Sequence, residues 1–155
     1  MTKTIEIIKK PRLSQFELIK DLSIEQLNIV PPGFNNNIIW NMGHLVAAQQ
    51  GICYRRAGVD MLVSEDYYNN YGPGSKPERF ISQAELEEIK GLFISTLDQF
   101  VIDYNNNLFA NYVPWTTRYG VDLNNIDDAF KFIPFHEGLH FGYIMAQRRA
   151  LLNSL

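Results

Sequence analysis

The sequence is short of three things, and each shortage excludes a class of protein. Its single cysteine, Cys53, cannot form an internal disulfide, which rules out the stapled scaffold of small secreted domains. Its charge is nearly balanced: 14 basic residues against 17 acidic ones leave −3, spread along the chain with no stripe of the kind that phosphate backbones require. The densest basic clusters, Lys9, Lys10 and Arg12 near the start and Arg148 with Arg149 near the end, are small enough to be solvated helix faces. Nucleic acid is therefore not expected as a partner. Apolar runs are also short, each broken by Gly, Asn or charge well before the ~20 residues needed to cross a bilayer. The opening residues MTKTIEIIKK lack the apolar stretch and cleavage site of a secretory signal. The expectation is a cytoplasmic protein with no membrane partner.

What the chain does have is apolar mass. Of 155 residues 46% are hydrophobic, including 10 Phe, 8 Tyr and 2 Trp, enough to offset the ordering entropy of one domain and too few for two. A single domain over residues 1–155 is expected.

Three patterns of Ser followed three residues later by Glu or Gln precede apolar-periodic runs: Ser14 with Glu17, Ser23 with Gln26, and Ser82 with Glu85. Each reads as a capping box and so as a helix start. The first helix is expected from about Ser14 to Asp21, and the second box opens only a short turn before Pro31-Pro32-Gly33. Asn35-Asn36-Asn37 offers caps for a long helix from Ile38 to Ala57, with Gly43 and Gly51 as weak points and Gly58 as its stop. Residues 59–81, rich in Tyr, Asn, Gly and Pro, read as a long ordered loop of the kind that often covers a site. From Ser82, Leu86, Ile89, Phe93, Leu97 and Phe100 recur at helical spacing. After an irregular stretch holding Pro114, Trp115 and Gly120, Asn125 caps a last helix over Ile126–Leu152. Four amphipathic segments with no convincing strand predict an all-α protein, a four-helix bundle, whose sites are built from facing helices.

The only three histidines are the candidate site. His136 and His140 lie four apart in a predicted helix, on one face and a turn from each other. His44 lies on the second long helix in a core-facing stripe and is expected to point inward. Three neutral imidazoles with open coordination positions suit zinc, nickel, iron or copper, and an open position is the arrangement of catalytic sites.

His136-Glu137-Gly138-Leu139-His140 also has the metalloprotease spacing, in which the glutamate is the general base. The third ligand of such enzymes lies downstream, however, and the 15 residues after His140 include no His, Asp or Glu, so peptidase activity is not expected. Glu137 is either a catalytic group acting on a ligand water or an exposed or outer-sphere carboxylate. Cys53, nine residues after His44 and about 900° around the same helix, falls on the opposite side and reads as a small buried hydrophobe. Pro134 either kinks the last helix and aims His136 or marks a junction between two helical segments.

The strings Ile39-Trp40-Asn41-Met42-Gly43-His44-Leu45 and Phe135-His136-Glu137-Gly138-Leu139-His140-Phe141-Gly142-Tyr143-Ile144 resemble the DinB-like superfamily of four-helix metalloproteins over most of the chain. The resemblance implies an up-down-down-up bundle, often a homodimer, in which His44, His136 and His140 hold zinc, nickel or another divalent ion. Some members of that family use low-molecular-weight thiols, and many have no assigned reaction. Several carry Arg-Gly-Gln after the final histidine, where this chain has Phe141-Gly142-Tyr143.

Three functions follow as expectations. The first is a metal-dependent enzyme acting on a small molecule, of thiol-transferase or hydrolase type. The second is a non-catalytic metal-binding or sensing module, and the third a helical interaction protein without metal.

Overall fold

Side-chain caps set where the helices begin. A computed structural model describes residues 1–153, with helices α1 (Thr2–Ile19), α2 (Ile24–Asn28), α3 (Ile38–Gln49), α4 (Glu65–Tyr71), α5 (Gln83–Asn105) and α6 (Ile126–Leu152). Ser23 and Ser82 form complete capping boxes with Gln26 and Glu85, while Asn37, Ser64 and Asn125 each accept a backbone N–H from three residues on. Each such cap satisfies a donor that the helix leaves orphaned and is worth about 1 kcal/mol.

The long helices α1, α3, α5 and α6 carry the core, with α1 against α5 and α6, and α3 against the same two. The protein is mainly helical. A two-stranded antiparallel hairpin, β1 (Trp115–Thr116) with β2 (Asp122–Leu123), is the one sheet among the described residues. No helix among them is long and apolar enough to cross a membrane.

The apolar stripe predicted on α5 is buried throughout, and it divides between two clusters. Leu86, Ile89 and Phe93 pack with Ile38, Met42, Leu45 and Ile144. Leu97 and Phe100 pack with Ile8, Cys53, Tyr54, Phe109, Phe130 and Ile133. Each large side chain so buried contributes about 1.5–3 kcal/mol relative to exposure.

Three local expectations are corrected. Ser14 and Glu17 do not start a helix; they are exposed positions inside α1, which already runs from Thr2. Ile8, Arg12, Gln15 and Ile19 are buried at four-, three- and four-residue spacing, and burial of that stripe carries the helix through the local cap signal. The expected loop over 59–81 contains α4, capped by Ser64 and led by Glu65 and Asp66, both favourable at a helix N-terminus. The helix expected to reach Ala57 does so in three forms, α to Gln49, a π segment over Gln50–Tyr54, and a 3-10 turn over Arg55–Ala57. Gly58 then ends it at φ +67°, the left-handed conformation that glycine adopts without penalty.

Pro134 lies inside an unbroken α6, so the two-segment reading of that helix is set aside. Cys53 is buried, and burial pushes its thiol far above the usual range, in keeping with a packing role.

Candidate metal centre

Every residue of α3, 38–49, is buried, and His44 is 7% exposed. α6 faces it with His136 and His140 one turn apart. The ring centroids lie 5.2 Å (His44 to His136), 4.6 Å (His44 to His140) and 4.6 Å (His136 to His140) apart. One ligand nitrogen from each falls within 4.8 Å of the others, and no carboxylate or thiolate among the described residues joins the cluster. The three residues singled out in the sequence are thus brought together, in a geometry that could hold a metal ion.

Two of the rings are oriented by oxygen atoms. His44 Nδ1 is 2.7 Å from the Tyr71 carbonyl, which can only accept, so Nδ1 carries the proton and Nε2 keeps its lone pair. His140 Nδ1 is 2.8 Å from Asn41 Oδ1. The Asn41 amide is fixed in turn, because its Nδ2 donates to the Asn37 carbonyl, Asn36 Oδ1 and Gln147 Oε1. That leaves Oδ1 toward the histidine and His140 Nε2 free to ligate. Trp40 stacks on His44 at 4.6 Å and 11°. His136 makes no side-chain hydrogen bond among the described residues.

The same burial keeps the rings neutral, as ligation demands. Desolvation lowers all three from the ordinary imidazole range. His44 is lowered against the opposing effect of the Tyr71 carbonyl. His136 falls to about 2, helped by the other two rings and by Arg12 and Arg118. His140 falls to about 3, helped by His44 and Arg118. Uncharged imidazoles, two with Nε2 exposed as a lone pair, fit a divalent ion of the zinc or nickel kind.

Glu137 is not a helix-surface carboxylate. It is 3% exposed, and both its oxygens accept from Arg12, at 3.1 and 3.2 Å from Nε and 2.6 Å from Nη2. Arg12 also donates to the carbonyls of Phe93 and Leu45 and lies over the Phe93 ring. One pair therefore ties α1, α3, α5 and α6 together.

Sequence reasoning missed the outer shell of Asn41, Gln147 and the Tyr71 carbonyl. Asn41 precedes His44 by three and Gln147 follows His140 by seven, spacings that share a helix face, and this was the available signal. The Tyr71 carbonyl carried none, since it depends on where α4 docks. That docking explains Gly43 and Gly51, read from sequence as weak points. A Cβ on Gly43 would lie 2.4 Å from the Tyr71 ring, and one on Gly51 would lie 2.6 Å from the Tyr68 hydroxyl.

A mainly helical protein with facing helices converging on three neutral histidines is a class that the sequence comparison narrows further. Residues 13–144 match the DinB superfamily, and the chain belongs to that family. A comparison with curated proteins returned no match.

Proposed function

We propose that the chain is a metal-dependent enzyme acting on a small molecule, of thiol-transferase or hydrolase type, with His44, His136 and His140 as the ligands of one divalent ion. Zinc or nickel suits the donor set best, with iron or copper next. The observation that carries this reading is the cluster itself: three imidazole nitrogens within 4.8 Å of one another, with no fourth His, Cys, Asp or Glu in the group among the described residues, the ligand count of catalytic rather than structural sites. An ion bound there would supply Lewis acidity, activating a thiol or a water.

The chain's own residues do the rest. The Tyr71 carbonyl and Asn41 Oδ1 hold two imidazoles in the ligating tautomer, and Trp40 fixes the plane of His44. A cavity of about 490 Å³ lies on the outer side of Trp40 and Tyr71, bounded by Asn37, Asn69 and Ser75, and none of the three histidines lines it. Its size suits a small molecule.

The arrangement of helices we infer is up-down-down-up. Cross-helix pairs support it: Lys9 with Asp98 and Phe16 with Phe93 run α1 opposite to α5. Gln49 with Thr96 and, in the π segment that continues α3, Tyr54 with Asp103 run that helix along α5. Asn41 with Gln147 and His44 with His136 run α3 opposite to α6.

A second reading, a non-catalytic metal-binding or sensing module, is favoured by one observation: the carboxylate nearest in sequence to the ligands, Glu137, is committed to Arg12 and leaves the cluster without a proton acceptor of its own. The test begins with elemental analysis of tag-free protein purified without chelator. Near-stoichiometric metal, lost in each of His44→Ala, His136→Ala and His140→Ala while helical circular dichroism persists, is the expected result. Turnover of thiol or hydrolysable substrates by the loaded protein then separates enzyme from module. Protein that is metal-free and takes up no added ion overturns both readings.

A further inference from the structure

Of the three imidazoles His44 is buried, whereas His136 and His140 are partly exposed. The cluster therefore meets solvent through its two α6 rings. Beside one of them stands an aromatic pair. Tyr143, three residues after His140 on α6, lies 6.3 Å from the His140 ring at 33°. Phe34 meets the Tyr143 ring edge-on, at 6.2 Å and 77°.

The other aromatic neighbour of His140 is already committed. Trp40 lies 6.4 Å from that ring, but it is only 8% exposed, stacks on His44, and donates its Nε1 proton to Ser75 Oγ at 3.0 Å. Tyr143 is different. It is 46% exposed, and its hydroxyl makes no hydrogen bond among the described residues. Its printed neighbours are the rings of His140 and Phe34 alone.

Phe34 is fixed in place from both directions along the chain. Residues 31–34 close a turn, with Phe34 N donating to the Pro31 carbonyl at 3.1 Å and Gly33 at φ +85°. Two residues later Asn36 is tied to α6, where Gln147 Nε2 donates to its carbonyl and its Oδ1, each at 2.8 Å. The pair is thus preorganised, so a ligand laid against it has little ordering to offset. A third ring can join such a pair in the edge-on or offset arrangements that aromatic rings prefer. Two rings of about 150–250 Å² each fall well short of the ~800 Å² per partner of a stable protein interface, and the occupant they fit is a small molecule.

We propose that Phe34 and Tyr143 form a specificity-determining wall that receives the aromatic ring of a small-molecule ligand whose donor atom engages the three-histidine site. This inference rests on the metal reading. It adds the class of ligand, an aromatic small molecule, and the residues that select it.

The test uses the full chain loaded with cobalt(II), whose visible spectrum reports both metal uptake and thiol ligation. The probes are benzyl mercaptan and 2-phenylethanethiol, each compared with 2-mercaptoethanol, in the unmodified protein, Phe34→Ala, Tyr143→Ala and Tyr143→Phe. At least one aromatic thiol is expected to bind more tightly than 2-mercaptoethanol by about fivefold or more, as one added aromatic pair implies. That ratio should fall toward one in Phe34→Ala and Tyr143→Ala with cobalt uptake retained, and Tyr143→Phe, which keeps the ring, should keep the preference. A ratio near one in the unmodified protein overturns the proposal, as does a preference that survives in both alanine variants, which would belong to the thiol and the ion alone. Sedimentation that shows a dimer lost in Tyr143→Ala would place a second copy of the chain on this wall and overturn it too. Unmodified protein that takes up no cobalt overturns the metal reading and this inference with it, whereas uptake without a wall-dependent preference overturns this inference only.

Discussion

Replacing Glu137 by Ala separates a structural carboxylate from a catalytic one. In the native protein Arg12 is 0% exposed and Glu137 3%, and the pair is joined through both carboxylate oxygens. Removing the carboxylate leaves a guanidinium buried with only the Phe93 and Leu45 carbonyls to receive its protons. Breaking one half of a buried ion pair costs about 3–5 kcal/mol. In a domain of this size each kcal/mol moves the melting midpoint by about 2–4 °C, so Glu137→Ala should melt roughly 6–20 °C lower. The assay is thermal unfolding followed by circular dichroism, with metal content measured on the folded variant. The double variant Arg12→Met, Glu137→Met removes both charges and should recover much of the loss, because the desolvation cost disappears with the pair. A single variant that melts within about 2 °C of the native protein while losing turnover would refute the structural assignment and return Glu137 to the chemistry.

Asn41→Ala should weaken metal binding by about 10–100-fold through loss of the His140 orienting bond, measured by competition with a chromophoric chelator; unchanged affinity would remove Asn41 from the site. Gly43→Ala should destabilise by about 1–3 kcal/mol, since its Cβ meets the Tyr71 ring at 2.4 Å. Gly91→Ala, with nothing within 4 Å of the added methyl, should instead stabilise α5 by up to about 1 kcal/mol; equal denaturation midpoints for the two would contradict the α4 docking. Acid should destabilise the metal-free protein. The folded imidazoles are lowered to about 2 at His136 and about 3 at His140, so below about 6.5 the unfolded chain binds protons that the folded one does not. Stability is therefore full above that value and declines as pH falls toward 3, by at most about 1.4 kcal/mol per pH unit per histidine. A denaturation midpoint flat from pH 7 to 4.5 would show that the rings are not held neutral.

The parts of the fold legible in the sequence are those fixed within a single helix. The caps at Ser82 and Asn125 and the α5 stripe depend on residues three or four apart, and they stand where local spacing places them. His136 and His140 share a face for the same reason. What periodicity cannot carry is the outcome of a competition between local and distant terms. Ser14 and Glu17 make a sound local cap signal, but burial of Ile8 and Arg12 extends the helix past it. α4 is seven residues long, too short to be stable without tertiary packing. Its tyrosines find that packing on the bare backbone of Gly43 and Gly51, a match between two segments that neither shows alone. Glu137, which the sequence leaves open between a catalytic group and an exposed or outer-sphere carboxylate, is buried against a partner 125 residues away in sequence, a pairing that no local spacing signals.

The separation of Glu137 from the histidines has a chemical consequence as well as a structural one. Outer-shell carboxylates on ligand histidines pass negative charge to the ring and raise its basicity. Here the two oriented rings donate to a backbone carbonyl and a side-chain amide, both neutral, while the one carboxylate on that stretch of α6 is neutralised by Arg12. An ion held by these histidines as proposed would therefore keep its positive charge undiminished by a carboxylate on the two oriented rings. An ion held there as proposed would acidify a thiol or water more strongly than one whose histidines lean on aspartate or glutamate.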